Sequence, residues 1–580
     1  VRYIIYDAET RSTRSLKQCG SHVYTCDPHT DVWCVSYCTV IDGVRGLIST
    51  WTPSDPVPNE ILAAAADPET LIVAFPDAFE RQVEQRILHL RYGWPIFPLE
   101  RRRCAQAAAL THALPASLDA GAAALKLPVR KTAEGKRAMR SLAMPRKPRA
   151  GEDPTQIYWH NTPERLATLY EYNRIDVEIT AEIMAITGFL PPAEQTIWQL
   201  DALINDRGIR IDADLLDAAI TIARQADAKL AEKLAALTDG EITSPAQTQR
   251  LLAWLAQNGC TLANVQKPTV TEALARADLA PEVKQALTLR LDGAHAAVNK
   301  LATLRRWLDG ADRRIRHVYR YHGAMTGRFT SLGAQLHNLK KPAGVEDVAA
   351  AIDAVRSGSL TRMQAYERPL AVVGDLARAL VVAAPGHRLF IADLSGIESR
   401  GLAWLCNEHT KLEEWREFDR SGDPQREPYY RFGTEELRLD NDAARKVGKV
   451  ADLAFGYQGA LGAWRRMAPA SDNTPDQRVY DIRKAWMRRH PAIAKFWPTA
   501  LRQAVNAIES TSCDRFTTAR IAFQRGERFL HMELPSGRRI SYPFARIYAD
   551  EDSKSFTFRD ASGGRWGGTT SSNAKVRSAG

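Results

Sequence analysis

Short apolar runs bounded by polar and turn residues organise the first third of the chain. Residues 3–7 (YIIYD), 32–40 (VWCVSYCTV) and 71–75 (LIVAF) each predict a strand, and a stretch of helical period follows each, so residues 1–190 predict an α/β domain. The segment 144–154, MPRKPRAGEDP, carries the turn and breaker residues of an exposed connection. From Glu194 onward helical periods dominate. Ser244-Pro245-Ala246-Gln247 has the spacing of a capping box with proline at the first helical position, and Gly259 supplies the stop. Residues 281–309, ended by Gly310, predict a helical run about 43 Å long if unbroken, of the kind that makes a projecting arm. Beyond Gly323 strands and helices alternate again, and Leu534-Pro535-Ser536-Gly537-Arg538 is a hairpin signal. The expected fold class is α/β and α+β in several bodies.

Length and composition narrow this picture. A chain of 580 residues exceeds what one hydrophobic core supports and should divide into roughly three or four units. With 45% hydrophobic and 25% charged residues it has the composition of a globular protein, and no apolar run reaches the roughly 18 residues of a membrane span. The first ten residues lack the zones of a signal peptide, so a cytoplasmic location is expected. Eight scattered cysteines are too few for a disulfide scaffold in a chain of this length and should be reduced. Cys34 and Cys38 share a strand face with Cys26 near, a conceivable metal site, but no paired CxxC is present and burial as free thiols is the commoner fate. A net charge of +10 fits a polyanionic partner. Residues 130–149 concentrate that excess, eight Lys or Arg against one Glu, in a proline-containing stretch that predicts a loop, either simply solvated or guiding a nucleic-acid strand.

Three acidic segments carry candidate chemistry. Asp7 and Glu9, two apart at a strand end, project from one face and could share a divalent metal. Phe79-Glu80 follows the apolar strand 71–75, and Tyr172-Asn173-Arg174-Ile175-Asp176 sets a phenol one helical turn before a carboxylate. Together these segments resemble the three exonuclease motifs of the DEDD nucleases, whose fold is ribonuclease H-like. The resemblance implies that Asp7, Glu9, Glu80 and Asp176 hold two divalent ions, Mg²⁺ or Mn²⁺, which activate a water and stabilise the leaving oxygen, while Tyr172 orients the water. One segment departs from the pattern: Phe75-Pro76-Asp77 stands where relatives show His-Asn, and Glu80 replaces an aspartate, which shifts a ligand by about 1.5 Å.

Downstream, Thr326-Gly327-Arg328 and Gln335-Leu336-His337-Asn338-Leu339 resemble the TGR and PNLQNL segments of family A DNA polymerases. Residues 389–405, LFIADLSGIESRGLAWL, look like motif A, a strand that turns into a helix after its aspartate. Residues 445–459, RKVGKVADLAFGYQG, look like motif B, with Arg445, Lys449, Leu453 and Tyr457 forming one slowly drifting helical stripe. The family usually has an aromatic where Leu453 stands. By this resemblance Asp393 binds the catalytic metals, Glu398 limits access to the sugar 2′ position, Lys449 and Arg445 bring positive charge to the triphosphate, and Tyr457 lies under the nascent base pair. Arg328 and Asn338 would contact primer-template near its terminus, and Arg400 matches the arginine of motif A.

The resemblance covers the chain to about Gly568 and is closest in flavour to phage or prophage replicative polymerases; no 5′ nuclease segment is seen. It implies a ribonuclease H-like exonuclease domain at 1–190 and a right-hand polymerase of thumb, palm and fingers: 191–345 thumb and start of palm, 346–440 palm with motif A, 441–515 fingers with motif B, 516–568 an incomplete palm return that leaves the polymerase site incomplete. Primer-template DNA and deoxynucleoside triphosphates are the implied partners, with replisome proteins or a complementing C-terminal fragment in addition. Motif C, a strand turn bearing His-Asp-Glu, is not found. Asp550-Glu551-Asp552 is a weak substitute, and residues 569–580, TTSSNAKVRSAG, have the composition of an aberrant or disordered tail. The implied activity is template-directed DNA synthesis with 3′–5′ proofreading. Exonuclease alone and a non-catalytic DNA-binding remnant stay open as alternatives.

Overall fold

The computed structural model describes residues 1–569 apart from 294, 295, 341, 343, 367, 470, 550–553 and 560–564. The acidic triplet Asp550-Glu551-Asp552 and the segment 570–580 lie outside the described residues. The chain divides into two compact units, one of Val1–Cys104, Lys131–Glu178 and Gln195–Phe390, the other of Ala105–Arg130, Ile179–Glu194 and Ile391–Gly580. Among the described residues no helix is long and apolar enough to cross a membrane.

The first unit opens with a mixed six-stranded sheet. Its strands are β1 (Arg2–Arg11), β2 (Asp31–Ile41), β3 (Val44–Arg45), β4 (Ser49–Trp51), β5 (Leu71–Ala74) and β6 (Arg102–Cys104), in the order β3-β2-β1-β5-β6 with β4 also on β2. The three strands predicted from the apolar runs are β1, β2 and β5. β1 pairs antiparallel with β2 and parallel with β5, which explains why Tyr3, Ile4, Ile5 and Tyr6 are all buried rather than alternating. The register of β1 on β2 shifts between Glu9 and Thr10. Such a bulge bends the strand where its acidic end emerges.

Three helices frame that end: α1 (Asp77–Val83), α2 (Ala133–Leu142) and α3 (Pro163–Thr187). α2 corrects the expectation of a loop over residues 130–149. Thr132 accepts the Gly135 N–H at 3.0 Å and Glu134 stands in the first turn, so a capped, acid-led start overrides the basic, proline-flanked composition.

The remainder of the first unit is mainly helical. α4 (Ala213–Leu237) is long enough to serve two cores, burying Leu215, Leu216, Ala219 and Ile222 in one and Leu234 in another that includes Trp254, Val283 and Leu287. The predicted run 281–309 is two helices, α5 (Pro281–Gly293) and α6 (Ala296–Trp307), with 294 and 295 outside the described residues. The predicted start at Ser244 is also corrected: the helix spans Thr248–Gln257, because the Ser244 hydroxyl accepts the Ala246 N–H at 3.2 Å and the Gln247 side chain accepts the Thr243 N–H at 2.8 Å, closing a turn first.

In the second unit α7 (Ile397–Cys406), α8 (Asn441–Phe455) and α9 (Pro491–Glu509) share a core with Trp464, Trp486, Phe523 and Leu530. An antiparallel sheet, β7 (Arg515–Thr518), β8 (Ile521–Arg525), β9 (Phe529–Glu533) and β10 (Arg539–Pro543), follows in simple order. The predicted hairpin joins β9 to β10, with Gly537 at φ +80° as the turn requires. The strand expected at 389–393 does not form. Phe390 and Ile391 are 95% and 93% exposed in irregular backbone, because among the described residues no strand lies beside them to supply ladder hydrogen bonds.

One buried ionic network fixes α1 to the sheet. Arg102 on β6, fully buried, donates Nε–H to Asp77 (2.7 Å), Nη1–H to both oxygens of Glu84 (2.9 Å each) and Nη2–H to the Tyr6 hydroxyl (2.7 Å). Removing a single partner strands the rest in a low dielectric. Arg102→Met should therefore cost about 3–5 kcal/mol of stability in urea unfolding, against no more than about 0.5 kcal/mol for the exposed Arg2→Met.

Candidate metal centre

The bulged end of β1 and the middle of α3 bring three carboxylates together. One oxygen each from Asp7, Glu9 and Asp176 falls within 4.8 Å of the others, and this is the one such group of potential ligands among the described residues. Asp7 and Glu9 share a strand face, as their spacing predicts, and keep a partial opening to solvent, while Asp176 is buried. Asn173, one turn from Asp176, donates its side-chain N–H to Asp7 Oδ2 (2.7 Å) and accepts the Ser36 N–H (2.7 Å), tying α3 to β1 and β2 at once. Tyr172 is buried beside Asp176, and α2 presses close to it: a Cβ added to Gly135 would lie 2.5 Å from Tyr172 Cδ2.

Glu80, on α1, lies outside the 4.8 Å group. It is nonetheless buried, its Oε2 has no hydrogen-bond partner among the described residues, and the charges of Asp7 and Glu9 bear on it. Burial first, then these neighbours, pushes its carboxyl well above the usual range. Asp7 is raised by burial and by Asp176, against the opposing pull of Lys131 and Asn173, and Glu9 by burial, Asp7 and Asp176. An all-oxygen, strongly anionic donor set with an orphaned buried carboxylate oxygen fits a hard divalent cation such as Mg²⁺ or Mn²⁺.

Lys131 supplies the positive charge that is present. Its Nζ lies 2.5 Å from Asp176 Oδ2 and donates to the Tyr172 hydroxyl at 3.0 Å, with the ring centroid 4.6 Å away. Burial pulls its pKa down, but Asp176 and Tyr172 outweigh burial and raise it overall. The Tyr172 phenol is pushed up to about 12 by burial and Asp176. Sequence reasoning missed Asn173 and Lys131 as parts of this site. Asn173 was legible inside Tyr172-Asn173-Arg174-Ile175-Asp176; Lys131 was hidden in a basic stretch whose path could not be read. Cys34 and Cys38 are buried free thiols, and Cys34 Sγ donates weakly to Asn173 Oδ1 at 3.6 Å.

The other predicted residues are separately placed. Arg328 is exposed in irregular backbone just after a turn, and Asn338, exposed at the end of a short 3-10 turn, has its backbone carbonyl held by Lys300 Nζ at 2.9 Å. Asp393 is exposed, and among the described residues no carboxylate group forms around it. Glu398 begins α7. Arg400 is committed to Asp419 through both terminal nitrogens (2.6 and 2.8 Å) and lies over the Trp415 ring. Arg445 on α8 grips Glu427, with Nη2 to Oε1 at 3.0 Å, and Lys449 is exposed one turn on. Tyr457 is not on the helix as the stripe predicts; α8 ends at Phe455, and Tyr457 sits in the following turn with its ring 5.9 Å from Trp497.

No protein-family model matches the chain. It is 29% identical over 569 residues, 97% of its length and 86% of the relative's, to a DNA polymerase of Bacillus phage SP02. Its fold resembles the POL domain of Pol1 from M. smegmatis, solved in complex with DNA primer-template and dNTP, at a TM-score of 0.53 and 13% identity over 93% of this chain and 78% of that one.

The raised Glu9 carboxyl sets a pH dependence. Because its folded pKa exceeds the unfolded value of about 4.3, ionisation opposes folding increasingly as pH rises above that value. In chelator, Glu9→Gln should match wild type near pH 4 and become progressively more stable than wild type toward neutrality, as read by urea unfolding across pH. A constant difference would place Glu9 in water.

Proposed function

We infer that the chain is a template-directed DNA polymerase of family A, and we propose that its first unit carries a 3′–5′ proofreading exonuclease on a ribonuclease H-like sheet. The 29% identity across 97% of the chain to a phage DNA polymerase carries the first statement. The convergence of Asp7, Glu9 and Asp176 within 4.8 Å supports the second, together with the order β3-β2-β1-β5-β6 in which β1 is central.

In the exonuclease Asp7, Glu9 and Asp176, with Glu80 behind them, would hold divalent metal, which when bound supplies an activated water and charge stabilisation for the leaving oxygen. Asn173 fixes the Asp7 carboxylate, and Tyr172, against which Gly135 of α2 packs, would use its hydroxyl to orient a water. A bound cation would offset the burial and mutual repulsion that raise the carboxyls of Asp7, Glu9 and Glu80.

In synthesis, primer-template DNA and deoxynucleoside triphosphates are the partners. Asp393 would contribute a metal ligand and Glu398 the check on the sugar, with Lys449, Arg445 and Tyr457 on the nucleotide side and Arg328, Asn338 and Arg400 on DNA. Arg445 and Arg400 would exchange Glu427 and Asp419 for phosphate oxygens, since a guanidinium fork binds either bidentately. The thumb, palm and fingers would follow the ranges implied by the motifs.

A labelled primer-template with Mg²⁺ tests both activities. Without dNTPs the primer should shorten from its 3′ end, and with dNTPs it should extend. Asp7→Ala with Glu9→Ala should reduce shortening by more than about a hundredfold while leaving DNA binding and extension in place. Shortening that survives the double substitution would reject the exonuclease site, and shortening without any extension would reject synthesis by this chain.

A further inference from the structure

Beside the three carboxylates stands one group for which the metal-centre reading gives no role. Lys131 places its ammonium on Asp176 Oδ2 at 2.5 Å and on the Tyr172 hydroxyl at 3.0 Å, with its side chain only 13% exposed. Lysine ammonium groups are strongly hydrated and are rarely taken out of water unless paired. Nor is this side chain a flexible one that happens to fold inward. The next residue, Thr132, caps α2, and Gly135 in that first turn lies so near the Tyr172 ring that a Cβ would approach Tyr172 Cδ2 to 2.5 Å. The backbone on which Lys131 is rooted is thus pinned to the same tyrosine that its ammonium touches.

Charge then sets up a competition. A single ammonium leaves three carboxylates under-compensated, so the cluster still attracts cations, yet Lys131 already occupies an Asp176 oxygen. A divalent ion on that oxygen would face the ammonium at close range and repel it strongly. We propose that Lys131 is the resident cation of the cluster, holding Asp176 and Tyr172 in place in the metal-free protein and leaving Asp176 when a divalent ion binds. This rests on the reading of Asp7, Glu9 and Asp176 as metal ligands. Its consequence is that the site binds metal more weakly than its carboxylates alone would, and that metal arrival frees a positive charge beside Tyr172.

Titration of the full chain with Mn²⁺, free ion being read by electron paramagnetic resonance, tests this. The site is defined as the one lost in Asp7→Ala with Glu9→Ala. At that site Lys131→Met should bind Mn²⁺ at least about tenfold more tightly than wild type, and Lys131→Arg, which keeps the charge, should stay close to wild type. Retention of every Mn²⁺ site in the double variant would sink the metal-centre reading and this inference with it. Unchanged or weaker binding by Lys131→Met at a site the double variant abolishes would overturn the role of Lys131 alone. A second measurement needs no variant: in wild-type protein a short pulse of acetic anhydride, read by mass spectrometry, should modify Lys131 several-fold faster in saturating Mn²⁺ than in chelator. Equal or slower modification would overturn the proposal.

Discussion

Charge taken out of water has to be answered by charge or hydrogen bonds, and β1 concentrates that demand at its acidic end. The strand is buried through Tyr3, Ile4, Ile5 and Tyr6 and then presents Asp7 and Glu9 toward Asp176, with buried Glu80 nearby. Much of the surrounding architecture serves to hold this arrangement. Arg102 binds Asp77, Glu84 and Tyr6, which keeps α1, and with it Glu80, against the sheet. Asn173 ties Asp7 to α3, and Lys131 sits on Asp176. Asp7, Glu9 and Glu80 all have carboxyls raised above the ordinary range, so compensation is incomplete. An incompletely compensated, oxygen-only cluster has the donor chemistry that a hard divalent ion takes.

The segments that resemble polymerase motifs are organised differently. Arg400 and Arg445 are each held by a carboxylate, Asp419 and Glu427, in the geometry that a guanidinium would offer a phosphate. The segment 389–394, by contrast, leaves Leu389, Phe390, Ile391 and Leu394 in solvent. A run of that hydrophobicity becomes a strand only when neighbouring strands take its backbone groups and something covers its side chains.

How much was legible depended on whether a feature was local. The apolar runs gave β1, β2 and β5, because alternation and continuous burial leave a direct imprint on residue type. The two-residue spacing put Asp7 and Glu9 on one face, the four-residue spacing put Tyr172 and Asp176 on another, and Gly537 marked its turn. Local chemistry also misled where two signals competed. Basic and proline residues suggested a loop at 130–149, but the Thr132 cap made α2; Ser244 suggested a helix start, but closed a turn instead.

The residue types and their spacings determined by themselves which side chains are candidates for chemistry: the carboxylates of the first unit, and the basic and aromatic positions of the segments that resemble polymerase motifs. Only the tertiary structure decided who meets whom. It set Lys131, 45 residues upstream in sequence, on Asp176, made Asn173 the link between α3 and β1, and left Glu80 outside the inner group. It also moved Tyr457 off the end of α8 and left 389–393 without a partner strand. The reason is physical: spacing along a strand or helix fixes which neighbours share a face, whereas contacts between distant segments depend on how packed elements meet, which no single segment encodes.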